Sequence, residues 1–168
     1  MITDNKVYVA GASSERNERA KHVMAALKAA GYVITHDWTT SVDMNCGPDH
    51  QPIVDDATLT KCAEDDYLGV VVADIFVLLA PQNASTGAWV ELGIALGKLG
   101  PARIYIAGDI SKCIFALLIP KHHRFATDGE LVDYLNTNPA KRDHEKGRCD
   151  ATCAYCTVAD VIRKRSSI

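Results

Sequence analysis

Apolar residues along the chain fall into two rhythms, short solid runs and helically spaced stretches, and the two alternate. Lys6–Gly11 (KVYVAG) is a β-branched and aromatic run closed by glycine, the pattern of a buried strand. In the segment that follows, Val23, Met24, Leu27 and Ala30 recur at helical spacing and Gly31 supplies the stop. Tyr32–Trp38 (YVITHDW) reads as a second strand, and Thr39–Pro52, polar and punctuated by Gly47, Pro48 and Pro52, as a mobile loop. A helix is predicted from about Ala57 to Ala73, its β-branched tail GVVVAD also suiting a strand. IFVLLAP is a third strand, STGAWVELGIALGKLG (Ser85–Gly100) a helix entered through small residues, ARIYIAG a fourth strand and HRFAT a short fifth. TDGELVDYLNTN closes the series as a helix capped by Thr127 or Asp128.

Strands alternating with helices imply a parallel sheet covered on both faces. The expected fold is therefore α/β, a flavodoxin-like (Rossmann-like) three-layer sandwich with a five-stranded parallel sheet. Ligands in such folds bind past the carboxyl ends of the strands, where strand order reverses. The loops there are GASSERNE, HDWTTSV, APQNASTG and AGDISK. The domain is expected to span residues 1–138, with 139–168 a charged, cysteine-bearing appendage.

A length of 168 residues suits one such domain with a single core. The net charge of −3 argues against a nucleic-acid polymer as partner. The longest apolar run, Leu68–Pro81, is broken by Asp74, so no membrane span is expected. The first residues, MITDNKVYVAG, lack the regions of a signal peptide, which makes a cytoplasmic location the expectation.

Glu91 is the conspicuous residue of the helix after the third strand. Trp89, Leu92, Ile94, Ala95, Leu96 and Leu99 make that helix mostly apolar, and no Lys or Arg stands three or four positions from Glu91 to pair with it. Two readings stand. The carboxylate complements the positive end of the helix dipole, or the same dipole keeps it ionised, unpaired and free to attack. The run Glu64, Asp65, Asp66 is likewise either a solvated helix face or the source of a second carboxylate for the same pocket. Two carboxylates facing one pocket would suit glycosyl chemistry, one acting at the anomeric carbon and the other handling protons.

The ordered set KVYVAG, DDYLGVVVADIFVLLAP and STGAWVELGIALGK resembles the nucleoside 2-deoxyribosyltransferase family and its relatives, the 2′-deoxynucleoside 5′-monophosphate N-glycosidases, over roughly Lys6–Leu135. Gly87, Glu91 and Gly93 match a G-x-x-x-E-x-G helix start, so the resemblance implies Glu91 as the nucleophile that forms a covalent deoxyribosyl intermediate at C1′. It implies Asp66, eight residues before Asp74, as the substrate-contacting proton handler, and Tyr8 as the residue that holds the nucleophile. It also implies Ser85 as a phosphate contact, and a homodimer or higher homo-oligomer that needs no cofactor. Water as acceptor would make a hydrolase, and a second base a transferase. The alternatives are a catalytically silent nucleotide-binding sensor, and a glycosidase acting on NAD-like or modified nucleotides.

The first loop carries Gly11, Ser13, Ser14, Arg16, Asn17 and Arg19 around a helix start, which reads either as a 5′-phosphate cradle or as a capped, solvent-facing turn. His36 and Trp38 are candidate base contacts, with a core or rim role as the other reading, and Asp37 beside them is a further candidate substrate contact. In the appendage, Cys149, Cys153 and Cys156 with His144 would suit a structural Cys3His zinc site; free thiols or a disulfide are the alternatives.

Overall fold

A computed structural model of the chain describes residues 6–48, 52–83 and 85–137. Five strands, β1 (Lys6–Ala10), β2 (Val33–Ile34), β3 (Ile75–Leu79), β4 (Ile104–Ala107) and β5 (Arg124–Phe125), form one sheet in the order β2-β1-β3-β4-β5, every pair parallel. This is the flavodoxin-like arrangement, and its strand order reverses between β1 and β3. The β-branched runs form the centre because β1 and β3 have neighbours on both sides and helices on both faces: Val7 to Ala10 and Ile75 to Leu79 are all buried.

Helices α1 (Lys21–Ala29), α2 (Trp38–Asn45), α3 (Asp56–Val71), α4 (Gly87–Leu99) and α5 (Asp128–Thr137) surround the sheet. α3 packs on α4 and α4 on β1, β3 and β4; α1 packs on α5 and β2. α1 is preceded by a 3-10 turn at Ser13–Glu15 and a π-type turn at Arg16–Ala20, and it ends where Gly31 takes φ 88°. That left-handed geometry is open to glycine at little cost. Thr127 caps α5: its hydroxyl accepts from Glu130 N at 3.2 Å, while Glu130 Oε2 accepts from Thr127 N at 3.3 Å, a capping box, and also from Ala126 N at 2.9 Å. Asp128, the other candidate cap, pairs with Arg19 instead.

Two expectations are corrected. The second strand is only Val33–Ile34, and the predicted loop after it contains α2. Tertiary contacts hold that helix. Trp38 and Thr39 are buried, and Asp43 accepts from Arg16 Nε at 2.7 Å and Lys21 Nζ at 2.6 Å. The Cys149, Cys153, Cys156 and His144 cluster and the boundary near residue 138 lie outside the described residues. Among the described residues no helix is long and apolar enough to cross a membrane.

Candidate active site

Strand alternation sends Tyr8 and its neighbour Phe76 to one face of the sheet, where the rings stack with centroids 5.9 Å apart and 7° between planes. The Tyr8 ring is fully buried under α3 and α4. Its hydroxyl ends between two carboxylates. Glu91 Oε1, from α4, lies 2.7 Å away, and Asp66 Oδ1, from α3, lies 3.2 Å away. His36 Nε2 lies 3.4 Å from the same Asp66 Oδ1, within ion-pair range. That nitrogen is buried without a well-aligned hydrogen bond, so the contact is electrostatic more than directional. The three residues to which the resemblance gives catalytic roles thus meet at one phenolic oxygen.

The electrostatics of the cluster correct one expectation. Glu91 is not held ionised by the helix dipole. It is the fifth residue of α4, no acid occupies the first turn, and burial pushes its carboxyl up to about 8. The Tyr8 hydrogen bond lowers that value and the charge of Asp66 raises it further, but loss of hydration dominates. A dipole contribution of about 0.3–1 kcal/mol, fading within one turn, is too small to oppose it. Asp66 is also raised by burial, with His36 and Tyr8 opposing and Asp65 adding to the rise. Burial and both carboxylates drive the Tyr8 hydroxyl far above its ordinary value, so it keeps its proton.

The other candidate contacts are disposed differently. Trp38 is 6% exposed, and its indole N–H donates to Val9 O at 2.7 Å under Gly11. Asp37 accepts from Thr39 Oγ1 at 2.5 Å and faces Lys28. Arg16 binds Asp43 and donates to Ser13 O at 2.9 Å, and Arg19 is held by Glu15 and Asp128, so both guanidiniums of the first loop already have anionic partners. Ser14 is exposed, Ser13 and Ser85 are half-buried, and Gly87 opens α4 at the surface with open space where a side chain would project.

Sequence reasoning did not single out Gly69, Glu15 or the His36–Asp66 contact. Glu15 Oε1 accepts from Gln82 N and Asn83 N, each at 2.9 Å, and so ties the first loop to the segment that leads into α4. Its i,i+4 spacing with Arg19 was the available signal. At Gly69 on α3, an added Cβ would fall 2.7 Å from His36 Cβ and 2.8 Å from Tyr8 Cε2. Gly69→Ala would gain about 1 kcal/mol of helix propensity. Overpacking against a buried ring costs about 1–3 kcal/mol. The substitution should therefore lower the denaturant midpoint, and it should cut any activity of the site because the Tyr8 hydroxyl is pushed from its two partners. An unchanged midpoint with unchanged activity would refute this role.

Fold and cluster together define a flavodoxin-like α/β domain with a Tyr–Glu–Asp triad, its tyrosine buried and its carboxylates partly so, beside the strand-order reversal. No protein-family model matches the chain, and no curated protein matches it.

Proposed function

We propose that the protein cleaves the N-glycosidic bond of a 2′-deoxynucleoside or its 5′-monophosphate, with Glu91 attacking C1′. The observation that carries this reading is the single Tyr8 hydroxyl bonded to both Glu91 and Asp66. Such a pair gives one carboxylate to form a glycosyl ester and a second carboxyl to protonate the leaving base. The oxocarbenium character that builds at C1′ is met by an anion in a partly buried site, where it counts for more than in bulk water. Tyr8 holds Glu91 in position, and Ser85 and Gly87 at the head of α4 are the candidate sugar or phosphate contacts. Water or a second base then releases the ester.

A homo-oligomer belongs to the same reading. Ile114, Phe115 and Leu117 are 76%, 61% and 59% exposed. They adjoin a groove of about 400 Å³ whose lining includes Trp89, Gly93, Gly97 and Phe115. An apolar surface of this kind suits burial against a second copy. Sedimentation of the purified chain tests it, a monomer at working concentration being the adverse result.

The decisive experiment is incubation with a panel of nucleosides, monophosphates and NAD, with and without an acceptor base. It is joined to mass spectrometry after exposure to 2-fluoro-2-deoxyribosyl substrates. Free base without acceptor means hydrolysis, and an exchanged nucleoside means transfer. A sugar adduct on Glu91 is expected. Nucleotide binding with no product from any substrate would overturn the reading in favour of a sensor.

A further inference from the structure

We infer that Glu91 and Asp66 hold a single proton between them, passed through the Tyr8 hydroxyl, and that this one proton both arms the nucleophile and supplies the departing base. The inference rests on the glycosyl-transfer reading above and deepens it.

A phenol has one hydrogen to donate. Tyr8 Oη lies 2.7 Å from Glu91 Oε1 and 3.2 Å from Asp66 Oδ1. If the phenol donates to Glu91, its lone pairs face Asp66, and that contact is a hydrogen bond only when Asp66 carries a proton. If it donates to Asp66, the shorter contact requires a proton on Glu91. Either way one carboxyl hydrogen completes the chain, while none leaves two oxygens facing each other bare. Two would put an O–H of each acid on the same phenol and leave Tyr8's own hydrogen without a carboxylate to receive it. The Tyr8 ring cannot swing away, being buried and stacked on Phe76.

The surroundings fix the count further. Tyr8 reaches the pair from β1 and His36 from the end of β2, while Asp65 lies beside Asp66 on α3. Among the described residues no Lys or Arg forms an ion pair with Glu91 or Asp66, so two adjacent, partly buried carboxylates would have only His36, beside Asp66, to offset them. His36 Nε2 lies 3.4 Å from Asp66 Oδ1 and has no counterpart at Glu91, so the resting proton is assigned to Glu91.

With substrate bound, the Glu91 O–H breaks as its proton passes to Tyr8 Oη. Tyr8's own proton passes to Asp66 Oδ1, so Tyr8 stays neutral throughout. The Glu91 carboxylate forms the C1′–O bond as the C1′–N bond breaks. The bonding pair goes to the base nitrogen, which takes the proton from Asp66. The products are a neutral base, a glycosyl ester on Glu91 and an Asp66 carboxylate, with no proton drawn from water.

Two measurements test this on the whole chain. Difference infrared spectroscopy of the substrate-free protein near pH 7, wild type against Glu91→Gln, should reveal one protonated carboxyl band per chain that shifts in deuterium oxide and is lost in the variant. No such band, or two, overturns the shared proton whatever the enzyme does. Stoichiometric trapping with a 2-fluoro-2-deoxyribosyl nucleoside in weakly buffered indicator should then form adduct with no proton uptake. Adduct with one proton taken up per site overturns the inference and leaves the glycosyl-transfer reading intact. A single carboxyl band with no adduct from any substrate overturns that reading, and with it the proton's catalytic use.

Discussion

Glu91→Gln should abolish base release while making the folded protein more stable at alkaline pH. The first half follows from the chemistry. An amide cannot form the glycosyl ester, so catalysis falls back on what the remaining groups supply. A loss of about 10³-fold or more in single-turnover base release corresponds to roughly 4 kcal/mol of barrier. The second half follows from linkage. The Glu91 carboxyl titrates near 8 in the folded chain against an ordinary 4.5. Between those values the folded state holds a proton that the unfolded state has lost. The stability tied to this group is therefore complete below pH about 4.5 and lost as pH rises through about 8. The loss is on the order of 3 kcal/mol, taking a discount for the carboxylate's partial exposure. Gln carries no charge to desolvate, so the variant's stability should decline less across that interval and exceed the wild type's at pH 8 and above. Thermal or denaturant unfolding from pH 5 to 9 reads it. Parallel curves for the two proteins would mean that Glu91 is not buried as a carboxylic acid, and retained turnover would remove it as nucleophile.

The same residue marks how far the sequence can be read. The strands were legible because β1, β3 and β4 are short solid runs of Val, Ile, Leu and aromatics, buried on both faces. Gly31 and the Thr127–Glu130 box were legible because helix ends obey local rules. α2 was not, since WTTSVDMN has weak amphipathicity and low propensity, and what holds it is distant in sequence: Arg16, Lys21 and the carbonyl of Val9. Tyr8, Asp66 and Glu91 could be picked out by spacing and resemblance. Their meeting at one oxygen could not, because it depends on how α3 and α4 settle over β1. Glu91's protonation was misread for the same reason. A helix position suggests a dipole, whereas burial is a property of the packed whole and outweighs it.

Arg19→Ala should be among the most destabilising substitutions in the chain. The guanidinium bonds Asp128 through Nε at 2.8 Å and Nη2 at 2.7 Å. Its Nη1 bonds Glu15 Oε2 at 2.7 Å and Ala80 O at 2.9 Å. One side chain, 12% exposed, thereby joins the turn before α1, the exit of β3 and the start of α5. Removing it would leave Glu15, itself 10% exposed, as a buried carboxylate without its cation. Uncompensated buried charge costs about 3–5 kcal/mol, a large part of the 5–15 kcal/mol typical of a domain. Arg19→Lys should recover part of this, since it restores charge but not the two-pronged bond to Asp128. The pH dependence supplies a second sign. In the wild type, backbone donors at Asn83 and Gln82 together with Arg19 hold the Glu15 carboxyl below its usual range. Glu15 therefore adds stability that is present above its unfolded pKa and lost as pH falls through its lowered folded value. Without Arg19 that acid-side decline should shrink, because the carboxylate keeps only its neutral donors, the backbone N–H groups of Gln82 and Asn83 and the Asn83 amide. Glu15 also grips Gln82 and Asn83, the segment that enters α4, so loosening it should disturb the approach to Glu91 and reduce base release even where the variant stays folded. Denaturant midpoints of Ala and Lys variants at pH 5 and pH 7 decide it: a loss under about 1 kcal/mol, or equal losses for Ala and Lys, would mean that the arginine's bonds are surface pairs of little worth.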